Sequence, residues 1–102
     1  VTPDGALYPC HQFVGREGFI MGNVWDGITR PEIGEAFACA HIYAKPACRD
    51  CWARYMCSGG CHANAHEMNG TLMTPYSIGC LITRRRLEAA LAYAALQASA
   101  PA

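Results

Sequence analysis

The chain has 102 residues, about half of them hydrophobic, and eight basic side chains against eight acidic ones. One domain is expected at this length. Zero net charge excludes binding to a phosphate backbone as the main task, because that needs a basic surplus. No apolar run approaches the ~20 residues that span a membrane, and no signal peptide is visible. Neither nucleic acid nor a membrane is therefore expected as a partner. The chain opens at Val1 on a turn signal rather than on a methionine, and is expected to be part of a longer protein. Ordering each backbone residue costs about 1–2 kcal/mol, so a domain this small has little net stability unless a bound group adds to it.

In chain order, Pro3-Asp4-Gly5 reads as a turn and Ala6-Leu7-Tyr8 as a short strand that delivers Cys10. A second turn at Gly15–Gly18 precedes a second strand, Phe19-Ile20-Met21, ended by Gly22-Asn23. The pair predicts a hairpin with Cys10 near its bend. Residues 31 to 44 predict a helix: Pro31 suits its first position, and Glu32 and Glu35 favour its positive end. Ile33, Phe37 and Ala40 share a face, with Ala36 and Tyr43 near it. Lys45-Pro46-Ala47 breaks that helix. Residues 52 to 56 predict one helical turn and residues 62 to 68 a short helix ended by Asn69-Gly70. From about Ser77 to Ala98 the composition predicts a long helix, with Leu81, Leu87, Leu91, Ala94, Ala95 and Ala98 on one face, expected to pack across the cysteines or against another domain. The run Arg84-Arg85-Arg86 points three ways on that helix and reads as a solvated face or as a patch for an acidic partner.

The stretch from Cys48 to Cys61 holds four cysteines spaced C-x2-C-x5-C-x3-C. Thiols this dense at short loop spacing point to a metal centre. Seven cysteines in all is an odd number, and the C-x2-C pair fits a metal better than a disulfide framework, so a reducing cytosol is the expected compartment. Zinc usually takes two short pairs across a long loop, whereas here five residues separate Cys51 from Cys57. Zinc sites remain an alternative if His11, His62 or His66 joined the cysteines. A [4Fe–4S] cluster is wider than one ion and often draws one thiolate from far along the chain. Cys48, Cys51 and Cys57 can hold three irons and Cys80 the fourth, leaving Cys61 to face a second cluster with Cys10.

These residues carry a resemblance. C-x2-C-x5-C-x3-C followed after a gap by a single cysteine resembles the SPASM domain, the auxiliary-cluster module of radical S-adenosylmethionine (SAM) enzymes that modify peptides and proteins. Gly5 to Cys10 is similar to the family's G-x4-C element, and Gly22-Asn23-Val24 to the segment after it. Cys51-Trp52-Ala53-Arg54-Tyr55 and Cys57-Ser58-Gly59-Gly60-Cys61 resemble maturases that build thioether crosslinks in cysteine-rich precursors, and quinohemoprotein maturases.

The resemblance implies two [4Fe–4S] clusters. Cys48, Cys51, Cys57 and Cys80 match the second auxiliary cluster, and Cys10 and Cys61 match two ligands of the first. The first cluster's remaining cysteines lie upstream in the family, so that site is expected to be incomplete here. Cys39, five residues after Gly34, is a rival first-cluster ligand, with a buried structural thiol as the plainer reading. The resemblance also implies a radical SAM barrel domain and a peptide or protein substrate as partners. SAM itself would bind only to that barrel. The SAM loop C-x3-C-x2-C is started by Cys57 and Cys61 but broken at Asn64, so no catalytic residue is assigned and the chain alone is not expected to cleave SAM. Electron relay or substrate engagement is the expected role.

Around the cysteines, His11 either donates an N–H to a sulfide or thiolate or faces solvent. Trp52, Tyr55 and Tyr76 are expected to shield the clusters from water. His62 and His66 lie at i, i+4 without an HExxH frame, and surface or supporting roles are expected. His41 is expected at the core or its boundary. The fold expected is a small α+β domain over residues 1–102: an N-terminal hairpin, short helices around cluster loops and a long C-terminal helix, with 1–44 the first-cluster half and 45–102 the second. The rival function is a zinc-binding structural or interaction module with no redox role.

Overall fold

Asn23 organises the first part of the chain. Its side-chain carbonyl accepts from the Trp25 and Asp26 amides, and its amide donates to the Asp26 carboxylate at 2.9 Å. This turn reverses the chain between two short strands, in the way short polar side chains commonly do. The structure, a computed structural model, describes residues 1–101. Strands β1 (Ala6–Leu7), β2 (Gly22–Asn23) and β3 (Gly27–Ile28) form an antiparallel sheet in that order, with Ala6 opposite Asn23 and Gly22 opposite Ile28.

The sequence led to a two-stranded hairpin, and the sheet differs in two ways. The partner of β1 is Gly22–Asn23, not residues 19–21; Glu17–Phe19 forms a 3-10 turn instead. A third strand follows the Asp26-Gly27 turn. Cys10 does lie in the β1–β2 connection, where its carbonyl accepts from the Phe13 amide and starts another 3-10 turn. That turn drops Phe13 into the core.

Phe13 is fully buried. Its ring lies 4.2 Å from Phe19 and 5.4 Å from Phe37, the latter edge-on, and His66 closes the cluster at 6.0 Å. Burying such a ring stabilises by about 1.5–3 kcal/mol, with about 0.5–1.5 kcal/mol more from each favourable aromatic pair. Phe37 comes from α1 (Pro31–Cys39) and His66 from α4 (His62–Asn69), so the cluster ties the N-terminal half to the C-terminal half. His62 adds a second tie at 3.0 Å between its Nε2 and the Ala40 carbonyl. The histidine pair therefore supports packing between the halves.

Helix α1 stops at Cys39, earlier than the expected residue 44. A turn replaces its end, held by the Ala44 and Lys45 amides on the His41 carbonyl. As a result Ile33 and Ala40 are buried, but Tyr43 and His41 are exposed, against the expectation of a shared apolar face and of a core histidine. Two one-turn helices follow, α2 (Pro46–Arg49) and α3 (Arg54–Cys57), then α4, ended by Gly70 as expected, and α5 (Ser77–Ala98). The 22 residues of α5 contain no proline and are rich in alanine and leucine, the strongest helix formers.

Helix α5 packs on the rest of the molecule along Gly79, Cys80, Thr83 and Leu87, which are half-buried. Of the expected stripe only Leu87 is packed: Leu81, Leu91, Ala94, Ala95 and Ala98 are exposed. Apolar residues are scattered round this helix, so its composition selects no single face, and the contact is made where Cys80 meets the cysteine loops. Beyond Leu87 every described residue is exposed, and the molecule measures 60 × 31 × 20 Å. The architecture is α+β, as expected, and among the described residues no helix is long and apolar enough to cross a membrane.

At Gly22 the φ angle is +151°, and an added Cβ would lie 2.0 Å from the Gly27 carbonyl oxygen. Gly22→Ala is expected to cost about 3 kcal/mol or more, combining backbone strain with a clash the two strands must part to relieve. Gly18→Ala, with φ in the ordinary range and open space at its Cβ, is the control and should be near neutral. Urea unfolding followed by far-ultraviolet circular dichroism measures both.

Candidate metal centre

Four of the seven cysteines line one cavity of about 350 Å³. Each arrives on a different piece of backbone. Cys48 sits on α2, set by Pro46 at the helix start. Cys51 lies in the turn after it, where its amide donates to the Cys48 carbonyl. Cys57 ends α3, and Cys80 stands in the first turn of α5. The rest of the wall includes Ala53, Gly59, Pro75 and the hydroxyl-bearing Thr74, Ser77 and Thr83.

The loop from Cys57 to Cys61 is built for close approach. Ser58, Gly59 and Gly60 all have positive φ, at 60°, 93° and 77°. Ser58 is the one non-glycine residue of this kind among the described residues, and such outliers cluster at functional sites. Gly59 is buried, and a Cβ there would meet Ile42 and the Lys45 ammonium at 3.4 Å each. The loop turns Cys61 onto a second, smaller cavity of about 160 Å³, which it shares with Cys57 and Cys80, roofed by Tyr76.

The electrostatics of the larger cavity are one-sided. Arg54 and Arg84 line it, and no aspartate or glutamate does. Arg54 is held by a 3.0 Å bond to the Cys51 carbonyl, and its guanidinium lies 4.6 Å from the centre of the Tyr55 ring. Lys45, fully buried, donates from Nζ to the Gly59 carbonyl at 3.1 Å. Burial pushes the Cys48 thiol above its ordinary range, the Lys45 ammonium opposes this, and the thiols of Cys80, Cys57 and Cys51 add to the rise. All seven cysteines are free thiols.

A donor set of sulfur alone suits iron–sulfur clusters or zinc. Among the described residues no three His, Cys, Asp or Glu side chains converge closely enough to hold one metal ion. The four thiols thus surround a space without closing on a point.

The remaining sequence-predicted residues fall elsewhere. Cys10 and Cys39 are exposed and line neither cavity. For Cys39 this replaces the expected buried thiol: it stands on the outer side of the last turn of α1. His11 is exposed. Trp52 and Tyr55 are exposed too, and of the three aromatic residues expected as shields only Tyr76 lies against a cysteine cavity. Three cations that are not among the sequence-predicted residues stand at or behind the cavity wall. Arg84, expected on a solvated face or in a patch for an acidic partner, lines the cavity; its i, i+4 spacing from Cys80 on one helix is the signal in the sequence. Arg54 and Lys45 each stand three residues from a candidate ligand, a spacing that brings side chains together in helical turns.

No protein-family model matches the chain, and no curated protein is detectably similar to it.

The raised Cys48 thiol predicts a pH dependence. The folded, metal-free chain keeps this proton more tightly than the unfolded chain, so unfolding releases a proton at alkaline pH. Stability should therefore be full below the ordinary thiol range, about 8.5, and fall as pH rises through it. Cys48→Ala should flatten part of that fall. Urea midpoints of the metal-free chain between pH 7 and pH 9.5 check the sign.

Proposed function

We propose that the chain binds [4Fe–4S] clusters and serves as a SPASM-like auxiliary-cluster module of a radical SAM enzyme that modifies a peptide or protein. The observation that carries this reading is the cavity with Cys48, Cys51, Cys57 and Cys80 in its wall. Four thiols around a space suit an inorganic cage, which bonds each sulfur at its own corner, better than one ion, which needs all four at about 2.3 Å from a single point.

The chemistry of the lining agrees with that occupant. A thiolate-ligated cluster is anionic, and the wall offers two arginines and no carboxylate. The hydroxyls of Thr74, Ser77 and Thr83 supply donors of the kind that tune such sulfurs. When bound, the cluster supplies one-electron storage and transfer. The chain's part is to fix the four sulfurs on separate short elements, to surround them with positive charge and to limit water.

In the same reading Cys10 and Cys61 belong to the first auxiliary cluster, with Cys39 as a further candidate. Cys61 already opens on its own cavity beside Cys57 and Cys80. This chain brings at most three thiols to that cluster, and the rest come from the parent enzyme. The catalytic barrel and SAM belong to that enzyme as well. The compartment that fits unprotected clusters and seven free thiols is the cytoplasm.

Anaerobic purification tests the proposal. The chain should be brown, with about four irons and four acid-labile sulfides in the Cys48 centre. Cys80→Ala should lose that centre's iron, and Cys39→Ala should leave it in place. Stoichiometric zinc with no labile sulfide would establish the zinc-module reading instead.

A further inference from the structure

Lys45 is the one polar or charged side chain that is buried among the described residues. An ammonium carries three donors, and one of them is spent on the Gly59 carbonyl at 3.1 Å. Among the described residues no carboxylate pairs with it. A buried charge without a counter-charge is costly, and natural chains keep one only where a partner compensates it. Lys45 stands one layer behind the cavity wall, since the carbonyl it holds belongs to Gly59, which lines the cavity. The stem is also fixed: Ile42 and the Lys45 chain both lie against Gly59, where any side chain would press on the ammonium.

We infer that Lys45 is the built-in counter-charge of the metal centre, a positioned cation that offsets the negative charge of an iron–sulfur cluster and holds its reduction potential up. This rests on the reading of the site given above. Reduction adds one electron to the cluster, supplied by an external one-electron reductant, and no bond forms or breaks. A fixed buried cation stabilises the more negative, reduced state more than the oxidised one. The neighbouring cations differ in kind: Arg84 is exposed and Arg54 half-exposed, so solvent screens them, while nothing screens Lys45.

The test compares the anaerobically purified chain with Lys45→Gln, which keeps an N–H donor for Gly59 without the charge, and Lys45→Met, which keeps neither. Arg85→Gln, at an exposed site, is the control. Iron and labile sulfide are counted first, then each protein is titrated with a low-potential one-electron reductant and followed optically. Both Lys45 variants should hold wild-type iron and show a potential lower by at least a tenfold change in equilibrium constant, about 59 mV for one electron. The control should not move. Iron-loaded Lys45→Gln with an unchanged potential overturns the inference and leaves the cluster reading intact. A wild-type chain without iron and sulfide overturns both. Where Lys45→Gln takes up no iron, circular dichroism of the metal-free proteins decides. A variant as folded as wild type shows that the centre requires the charge, and an unfolded one shows a packing role and defeats the inference.

Discussion

The C-terminal half of this protein has no large apolar side chain at its centre. Among residues 45–101 the buried apolar side chains are Cys48, Ala53, Ala63, Ala65 and Pro75, and the one large buried group is the Lys45 chain. The N-terminal half does have such a centre in Phe13 and the rings around it. Five side chains this small bury too little surface to offset the ordering of so many residues. What occupies the middle of this half is a cavity with four thiols in its wall. On the proposed reading the missing stabilisation comes from metal–sulfur bonds, and binding free energy becomes folding free energy. The short helices α2 and α3, each a single turn, are then understandable. They are too short to be stable alone, and their task is to set the spacing of sulfurs.

The link between the halves is made of aromatic rings and backbone rather than of metal. Phe13 and Phe37 reach α4 through His66 and His62, and the Arg16–Glu67 ion pair runs alongside. An exposed pair of this type adds little by itself. The arrangement nevertheless fixes α4 from its outer side, and the residue just before α4 is Cys61. The orientation of Cys61 therefore depends on a core some distance away in sequence, at Phe13.

Element type was legible wherever the local rule was strong. Asn69-Gly70 ends α4 because Gly70 adopts the left-handed conformation that a helix end favours. The 77–98 helix was legible from propensity alone. The grouping of Cys48, Cys51, Cys57 and Cys80 was suggested by spacing, and in the fold the four line one cavity. Three other features depended on tertiary contacts that no local window contains. Residues 19–21 have strand-like composition, but Phe19 is drawn into a 3-10 turn that brings it onto Phe13. Helix α1 ends early at Ala40, which leaves the helical conformation and whose carbonyl is bonded by His62 of α4, 22 residues away. The face of α5 that packs carries Gly79, Cys80, Thr83 and Leu87 rather than the leucine stripe, and periodicity was the only signal the sequence offered.

Lys45 shows why a sequence conceals part of a site that a fold displays. A lysine before a proline reads as an exposed helix breaker, since lysines are almost never fully buried. It becomes informative only once its Nζ is seen on a cavity-lining carbonyl. The same holds for the loop that receives it. Gly59 reads locally as flexibility, yet in the fold it is a close contact, with the ammonium where a side chain would begin. The pair Lys45–Gly59 joins the turn that ends the first half to the cysteine loop of the second. A charge held in that position cannot retreat to solvent when the cavity changes its own charge. On the proposed reading its influence on a cluster held by the four sulfurs is therefore constant, and it is set by the backbone.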